Sequence, residues 1–177
     1  MIIFICGGVR SGKTSYAEQL VCKSPLEDLH YIATGVVTDE EMKARIYHHR
    51  QDRKNSTRKW TTWEQPTDIM KLTFSGTDAV LLDCITTWVT NEMMKQVGWN
   101  KEELTANLVK QLEELIHKPG DIVVVSNEVS RDVPSTFSLV KDYAYVLGKV
   151  NQWLVDQSDG AVEMVFGEPI IHKEVYQ

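Results

Sequence analysis

Eight residues near the start of the chain, Gly7-Gly8-Val9-Arg10-Ser11-Gly12-Lys13-Thr14, have the types and spacing of G-x-x-x-x-G-K-[ST], a phosphate-binding loop. Gly7 and Gly12 allow dihedrals and a close backbone approach that a Cβ would block. Backbone N–H groups of such a loop, with the positive end of the helix it opens, point at phosphate oxygens. Lys13 would reach the outer phosphates of a nucleoside triphosphate, and the Thr14 hydroxyl would ligate Mg²⁺. A second reactive set lies in Glu40-Glu41-Met42-Lys43-Ala44-Arg45-Ile46-Tyr47-His48-His49-Arg50-Gln51-Asp52-Arg53. On a helix, Arg45, His48, His49 and Asp52 share one side, and Met42 and Ile46 supply only a thin apolar stripe. Neutral imidazole can attack phosphorus, and Asp52 could orient the ring. The same pattern also describes a solvated charged face, and on the residues alone that plainer reading is preferred. Adjacent histidines point apart and no third ligand is evident, which argues against a metal there.

The elements that must position these groups alternate between strand and helix. Ile2-Ile3-Phe4-Ile5-Cys6 reads as a buried strand, and Ser15-Tyr16-Ala17-Glu18-Gln19-Leu20-Val21 continues the helix opened by the loop. Strands are expected at residues 29–34, 60–63, 79–83, 122–125 and 161–166, the last of them ending the sheet. A charged helix is expected over residues 39–52, with a polar loop at 53–58 and Pro66 in the first turn of a short helix. Helices at 85–96 and 139–155 follow, and Asn100 with Glu103 forms a capping-box-like start for one ending near His117. Nearly continuous apolar strands separated by helices predict a parallel sheet covered on both faces, an α/β fold. Ligands of such sheets sit beyond the strand C-termini. That rule sets the phosphate loop, Thr34-Gly35, Asp83 and Asn127-Glu128 along one edge. Asp83 could bind Mg²⁺ through water, accept a proton, or cap the next helix at Thr86-Thr87. Asn127-Glu128 is open between a substrate contact and an ordinary loop.

Composition narrows the function classes. The 177 residues suit one domain, 1–177, with a real core. A formal net charge of −6 argues against a protein that coats nucleic acid. No apolar run approaches the ~20 residues of a membrane span, and Met1 leads straight into a strand, so a cytoplasmic protein is expected. Cys6, Cys22 and Cys84 lack zinc or redox spacing and read as reduced packing residues.

Taken together, several segments resemble one family. Besides the phosphate loop they are Tyr31-Ile32-Ala33-Thr34, Glu41-Met42-Lys43-Ala44-Arg45-Ile46-Tyr47-His48-His49-Arg50 and Trp60-Thr61-Thr62-Trp63-Glu64-Gln65-Pro66. Leu81-Leu82-Asp83-Cys84-Ile85-Thr86-Thr87-Trp88-Val89-Thr90-Asn91, Asn127-Glu128-Val129 and Gly148-Lys149-Val150-Asn151-Gln152 complete the set. The chain resembles the bifunctional adenosylcobinamide kinase / adenosylcobinamide-phosphate guanylyltransferase family of cobalamin biosynthesis. The resemblance implies a RecA-like P-loop fold, a mostly parallel central sheet with helices on both faces. It implies ATP, GTP and Mg²⁺ as cofactors, a corrinoid substrate (adenosylcobinamide and its phosphate) and a homo-oligomer, a trimer. It further implies phosphorylation of the aminopropanol hydroxyl, then transfer of GMP from GTP through a guanylyl-histidine. The family's nucleophile matches His48. Its nucleotide contacts match Thr34, Gly35, Val36, His49, Arg50, Gln51, Asp52, Glu64 and Asp83, beside the loop residues 7–14. The chain departs from the pattern at Asp83, where glutamate is usual, and at Ser130-Arg131-Asp132 and Val140-Lys141-Asp142-Tyr143-Ala144-Tyr145.

Trp60, Trp63, Trp88 and Trp99 are candidates either for an oligomer interface or for the core. Two further functions compete with the bifunctional enzyme. A single-activity P-loop kinase would form no covalent GMP. An NTP-driven binding module has only the basic run at 54–59 in its favour, and the overall acidity opposes it.

Overall fold

The computed structural model describes residues 1–36, 47, 51, 53, 56–95, 98–129 and 136–174. In chain order the elements are β1 (Ile2–Gly7), α1 (Lys13–Lys23), β2 (Asp28–Ala33), β3 (Trp60–Glu64) and a 3₁₀ turn (Ile69–Lys71). They continue with β4 (Asp78–Asp83), α2 (Ile85–Lys95), α3 (Lys101–Ile116), β5 (Asp121–Val125), α4 (Ser138–Gln157), β6 (Gly160–Val165) and β7 (Glu168–Lys173). The seven strands form one sheet in the order β3-β2-β4-β5-β1-β6-β7. Every pairing is parallel except that of β6 with β7. Parallel pairing needs crossovers, and among the described residues α1 leads from β1 to β2, α2 and α3 from β4 to β5, and α4 from β5 to β6.

Alternation along the strands divides the core in two. Ile3 and Ile5 of β1, Ala79 and Leu81 of β4, and Val123 and Val125 of β5 pack with Ala17 and Val21 of α1. Phe4, Val80, Leu82, Ile122 and Val124 face the other way. There they meet Trp88 and Val89 of α2, Leu108 and Leu112 of α3, and Val150 and Leu154 of α4. This period of two puts apolar side chains on both faces, so helices cover both. Trp88 is fully buried at the centre of the second layer and belongs to the core; it is not available to an interface. Asn100 caps α3 as its sequence predicts, its side chain accepting from the N–H groups of Glu102 and Glu103.

Two expectations are corrected. The strand ending near residue 166 is not the last, because β7 folds back on β6 as an antiparallel edge. All six β7 residues are exposed, so no alternation of burial marks the strand, and Pro169 is tolerated because an edge strand need not donate there. Pro66 lies in a bend, and the short helical turn begins only at Ile69. Asp68, in the left-handed region with φ 54, starts that turn, and its N–H donates to Glu92 Oε1 at 2.6 Å. The charged helix expected over 39–52 falls mostly outside the described residues; Tyr47, Gln51 and Arg53 have helical backbone.

Candidate nucleotide site at the strand C-termini

Strand register aligns the C-terminal ends. Glu64 pairs with Ala33, Ala33 with Asp83, Asp83 with Val125, and Val125 with Ile5. At about 4.8 Å between strands, Asp83 lies ~10 Å from both β1 and β3 along this row. The segments that follow these ends are the ones singled out by sequence: the loop after β1, Thr34 after β2, Cys84 after β4 and Asn127-Glu128 after β5.

The loop after β1 is tightly built. A Cβ on Gly7 would lie 2.6 Å from the Met164 carbonyl oxygen and 2.7 Å from Ser11 Oγ, so only glycine fits. Arg10 and Gly12 have φ of 60 and 88, which bend the chain into α1. Ser11 N–H donates to the Gly8 carbonyl at 3.3 Å, and Lys13 Nζ folds back to the same carbonyl at 2.8 Å. The lysine is buried against the loop it closes. Thr14 is half-buried in the first turn of α1, while Gly8, Val9 and Arg10 are exposed. Gly8 has open space around a Cβ position, so its backbone is not held by sterics. Ser11 Oγ is a buried oxygen without a hydrogen-bond partner among the described residues. On the far side, Glu128 N–H donates to the Gly7 carbonyl at 3.1 Å, which ties the β5 loop to the β1 loop.

Thr34 is completely buried, and its hydroxyl donates to the Cys84 carbonyl and accepts from the Cys84 N–H, both at 2.8 Å. Its own N–H donates to the Asp83 carbonyl at 3.1 Å, and its carbonyl accepts from Asn91 Nδ2 at 2.8 Å. Thr34 therefore organises the edge from inside. Gly35 is half-buried and Val36 exposed beyond it. Asn127 N–H donates to Thr86 Oγ1 at 2.8 Å. Beside it, a cavity of about 600 Å³ opens between the sheet and α4, lined among others by Cys6, Asn127, Glu128, Gly148, Asn151 and Gln152. Cys6, Cys22 and Cys84 are partly buried and form no disulfide among the described residues. Burial, then the neighbouring Asp83 charge, raises the Cys84 thiol above its ordinary range, so it remains protonated.

Asp83 does not cap α2 through the contacts it makes. Its Oδ2 accepts from the Tyr31 hydroxyl at 2.7 Å. Burial first, then the charge and hydrogen bond of Asp83, holds the Tyr31 phenol well above its ordinary range. The phenol is thus a fixed donor through the neutral range. Over the Tyr31 ring sits the Arg53 guanidinium, 3.6 Å from the centroid, and Arg53 Nη1 donates to Glu18 Oε1 of α1 at 3.0 Å. Arg53 is 7% exposed. Sequence reasoning assigns it to a polar loop; its signal was the helical spacing of four from His49. Glu64 is exposed at the end of β3 and lines, with Arg53, Arg58 and Lys59, a cavity of about 590 Å³ along that edge.

Gln51 is half-buried and helical. His48, His49, Arg50 and Asp52 lie outside the described residues. Among the described residues no group of three His, Cys, Asp or Glu is placed to hold a metal ion, and no helix is long and apolar enough to cross a membrane.

Arg53→Ala is expected to lower stability by about 3 kcal/mol, since it removes a buried cation together with its ion pair to Glu18 and its stack on Tyr31. If Arg53 positions the segment that begins five residues earlier, chemistry at that segment falls about 10²-fold while reactions needing only the phosphate loop fall less. Arg53→Lys, which keeps charge but loses the planar stack, should recover part of the stability and little of the rate. Thermal melts and separate assays of phosphoryl and guanylyl transfer check this.

Comparison with known proteins gives a consistent result. The family described as cobinamide kinase / cobinamide phosphate guanyltransferase matches residues 3–171. The bifunctional adenosylcobalamin biosynthesis protein CobU of Escherichia coli (strain K12) is 33% identical over 164 residues, covering 87% of this chain and 90% of that protein. Its counterpart in Salmonella typhimurium is 32% identical over 177 residues, covering 94% and 97%. CobP of Pseudomonas aeruginosa is 33% identical over 169 residues, covering 94% of each. Among solved structures, an ATPase of a bacterial type III secretion system has a TM-score of 0.54 at 12% identity, covering 93% of this chain and 51% of that one. The flagellar accessory protein FlaH of Methanocaldococcus jannaschii has a TM-score of 0.50 at 15% identity, covering 97% and 77%. These two likenesses concern the fold, which is that of RecA-like P-loop proteins.

Proposed function

The chain belongs to the cobinamide kinase / cobinamide phosphate guanyltransferase family of cobalamin biosynthesis, and from that premise we propose that its two reactions share one phosphate cradle. The observation that carries this reading is the 7–14 loop, closed by Lys13 on the Gly8 carbonyl and seated on the sheet edge that also holds Asp83. A nucleoside triphosphate lies with its phosphates against the loop N–H groups and Lys13. Thr14 and Asp83 provide a hydroxyl and a carboxylate, an all-oxygen donor set of the kind Mg²⁺ takes together with phosphate and water. Bound there, Mg²⁺ would neutralise charge developing on the phosphates. Tyr31, fixed as a donor, keeps the Asp83 carboxylate oriented.

In the first reaction the aminopropanol hydroxyl of adenosylcobinamide attacks the γ-phosphorus and gives up its proton to water. The bond from that phosphorus to the bridging oxygen breaks, and the nucleoside diphosphate leaves. The cavity beside Asn127 and Glu128 adjoins the loop and is roomy enough for such an arm. In the second reaction a neutral His48 ring nitrogen attacks the α-phosphorus of GTP and pyrophosphate leaves. A phosphate oxygen of adenosylcobinamide phosphate then attacks that phosphorus. The P–N bond breaks, His48 is restored, and adenosylcobinamide-GDP is formed. One difficult bimolecular step becomes two easier ones. His49, Arg50, Gln51, Asp52 and Glu64 surround the guanine nucleotide, with Thr34, Gly35 and Val36 shaping the edge beneath it. Arg53, next in the chain after Asp52, bonds Glu18 of α1 and stacks over Tyr31, the donor to Asp83. We further propose a single domain, a cytoplasmic location and a homotrimeric assembly.

The test is sequential product analysis. With adenosylcobinamide and ATP alone, the phosphate ester should accumulate; adding GTP should convert it to the GDP derivative with release of pyrophosphate. Formation of the ester with no further conversion would leave only a single-activity kinase.

A further inference from the structure

The turn between β6 and β7 stands beside the phosphate loop and carries an unusual residue. Val165 and Glu168 are paired, leaving Phe166 and Gly167 as a two-residue turn. Their φ values are 50 and 91, both in the left-handed region, as a type I′ turn requires. Asparagine or glycine takes the first position of such a turn readily, whereas a phenylalanine there is held in a disfavoured backbone region. The residue is 99% exposed, so the phenyl ring gains nothing from burial in return. A lone exposed hydrophobic side chain is ordinary on a protein surface. The position of this one is not.

Gly167 N–H donates to the Ser11 carbonyl of the phosphate loop at 3.1 Å. A Cβ on Gly12 would lie 3.7 Å from Gly167 Cα. Farther along β6, Met164 pairs with Gly7, the residue that opens the loop. The hairpin is therefore fastened to the loop at its turn and along its strand, and it carries Phe166 at a fixed place at the loop's rim. Val9, on the loop itself, is 75% exposed. Backbone positions held in sparsely populated regions cluster at active sites and ligand clamps, and this one places an uncovered aromatic ring beside a binding loop.

We propose that Phe166 is the stacking platform for the heterocyclic base of the nucleotide whose phosphates lie in the 7–14 loop, an inference that rests on reading that loop as a nucleotide cradle. A triphosphate held by the loop must project its ribose and base past the rim, where a flat aromatic surface offers contact with either face of the base. Stacking is tolerant of base identity because every base has a π-face. A cradle that reads the base by stacking on this side accepts ATP and GTP alike. That is what phosphoryl transfer from one and guanylyl transfer from the other require of a shared loop.

The experiment is calorimetric titration of the full-length chain, with Mg²⁺, by GTP, by ATP and by inorganic tripolyphosphate. Phe166→Ala should weaken GTP and ATP by about tenfold and leave tripolyphosphate unchanged, while Phe166→Trp should keep wild-type affinity for all three. Wild-type affinity of Phe166→Ala for GTP would overturn the proposal. So would an equal loss for tripolyphosphate, which would mean damage to the loop, or a change of oligomeric mass without a change of nucleotide affinity, which would assign the ring to a second copy. Failure of the wild-type chain to bind either GTP or tripolyphosphate would overturn the cradle reading itself, and this proposal with it.

Discussion

Lys13→Ala is expected to lower both cobinamide phosphorylation and guanylyl transfer by about 10³-fold. The lysine is buried on the loop and its ammonium reaches the Gly8 carbonyl at 2.8 Å, so it sits over the backbone that would cradle the phosphates. In γ-transfer it would neutralise charge on the oxygens of the moving phosphoryl group. In attack on the α-phosphorus it would stabilise the departing pyrophosphate. One cation thus serves both transfers, and both rates should fall together. Lys13→Arg should not rescue either, because a planar fork of five donors cannot replace a compact ammonium folded against a carbonyl. Steady-state kcat/KM for each half-reaction checks this, with a thermal melt to confirm folding. Loss of one activity with full retention of the other would separate the two reactions into different sites.

The second large effect is expected at His48. His48→Ala should lower GMP transfer at least about 10³-fold, because no other group supplies the covalent path. Phosphorylation from ATP has no step that uses the imidazole and is the internal control. His48→Asn keeps the size and a hydrogen-bonding edge but has no basic ring nitrogen, so it should fail equally. A general-base role would instead show partial activity that rises with pH, and a solvated-face role would show wild-type rates in both variants.

Different parts of this picture were legible in the sequence for different physical reasons. The phosphate loop was legible because its glycines answer local demands: Gly7 has no room for a Cβ, and Gly12 has φ 88. Buried strands announced themselves by apolar runs, since both faces of the sheet are covered. Asp83 was found from its place at a strand end, but its partner was not: Tyr31 reads as a strand residue, its register partner is Leu81, and its hydroxyl reaches Asp83 diagonally across the β2–β4 pair. Arg53 was hidden in the same way. Its contacts with Tyr31 and Glu18 join residues far apart in the chain, and a basic residue among basic neighbours carries no mark of burial. The β6–β7 hairpin escaped notice because an exposed edge strand needs no apolar alternation, and because Phe-Gly is a poor match to the Asn-Gly type of turn it forms. Trp88 illustrates the opposite ambiguity: a tryptophan fits an interface or a core, and packing between α2 and the sheet decided it.

The central claim is a covalent guanylyl group on His48, and intact-mass spectrometry followed by peptide mapping tests it most directly. The wild-type chain incubated with GTP and Mg²⁺, without corrinoid, should gain one guanylyl group. The added mass should map to the peptide carrying His48, be lost in mild acid, survive base, and disappear when adenosylcobinamide phosphate is added. An unmodified chain that nevertheless converts the phosphate ester to the GDP derivative, or the same adduct on His48→Ala, would contradict it.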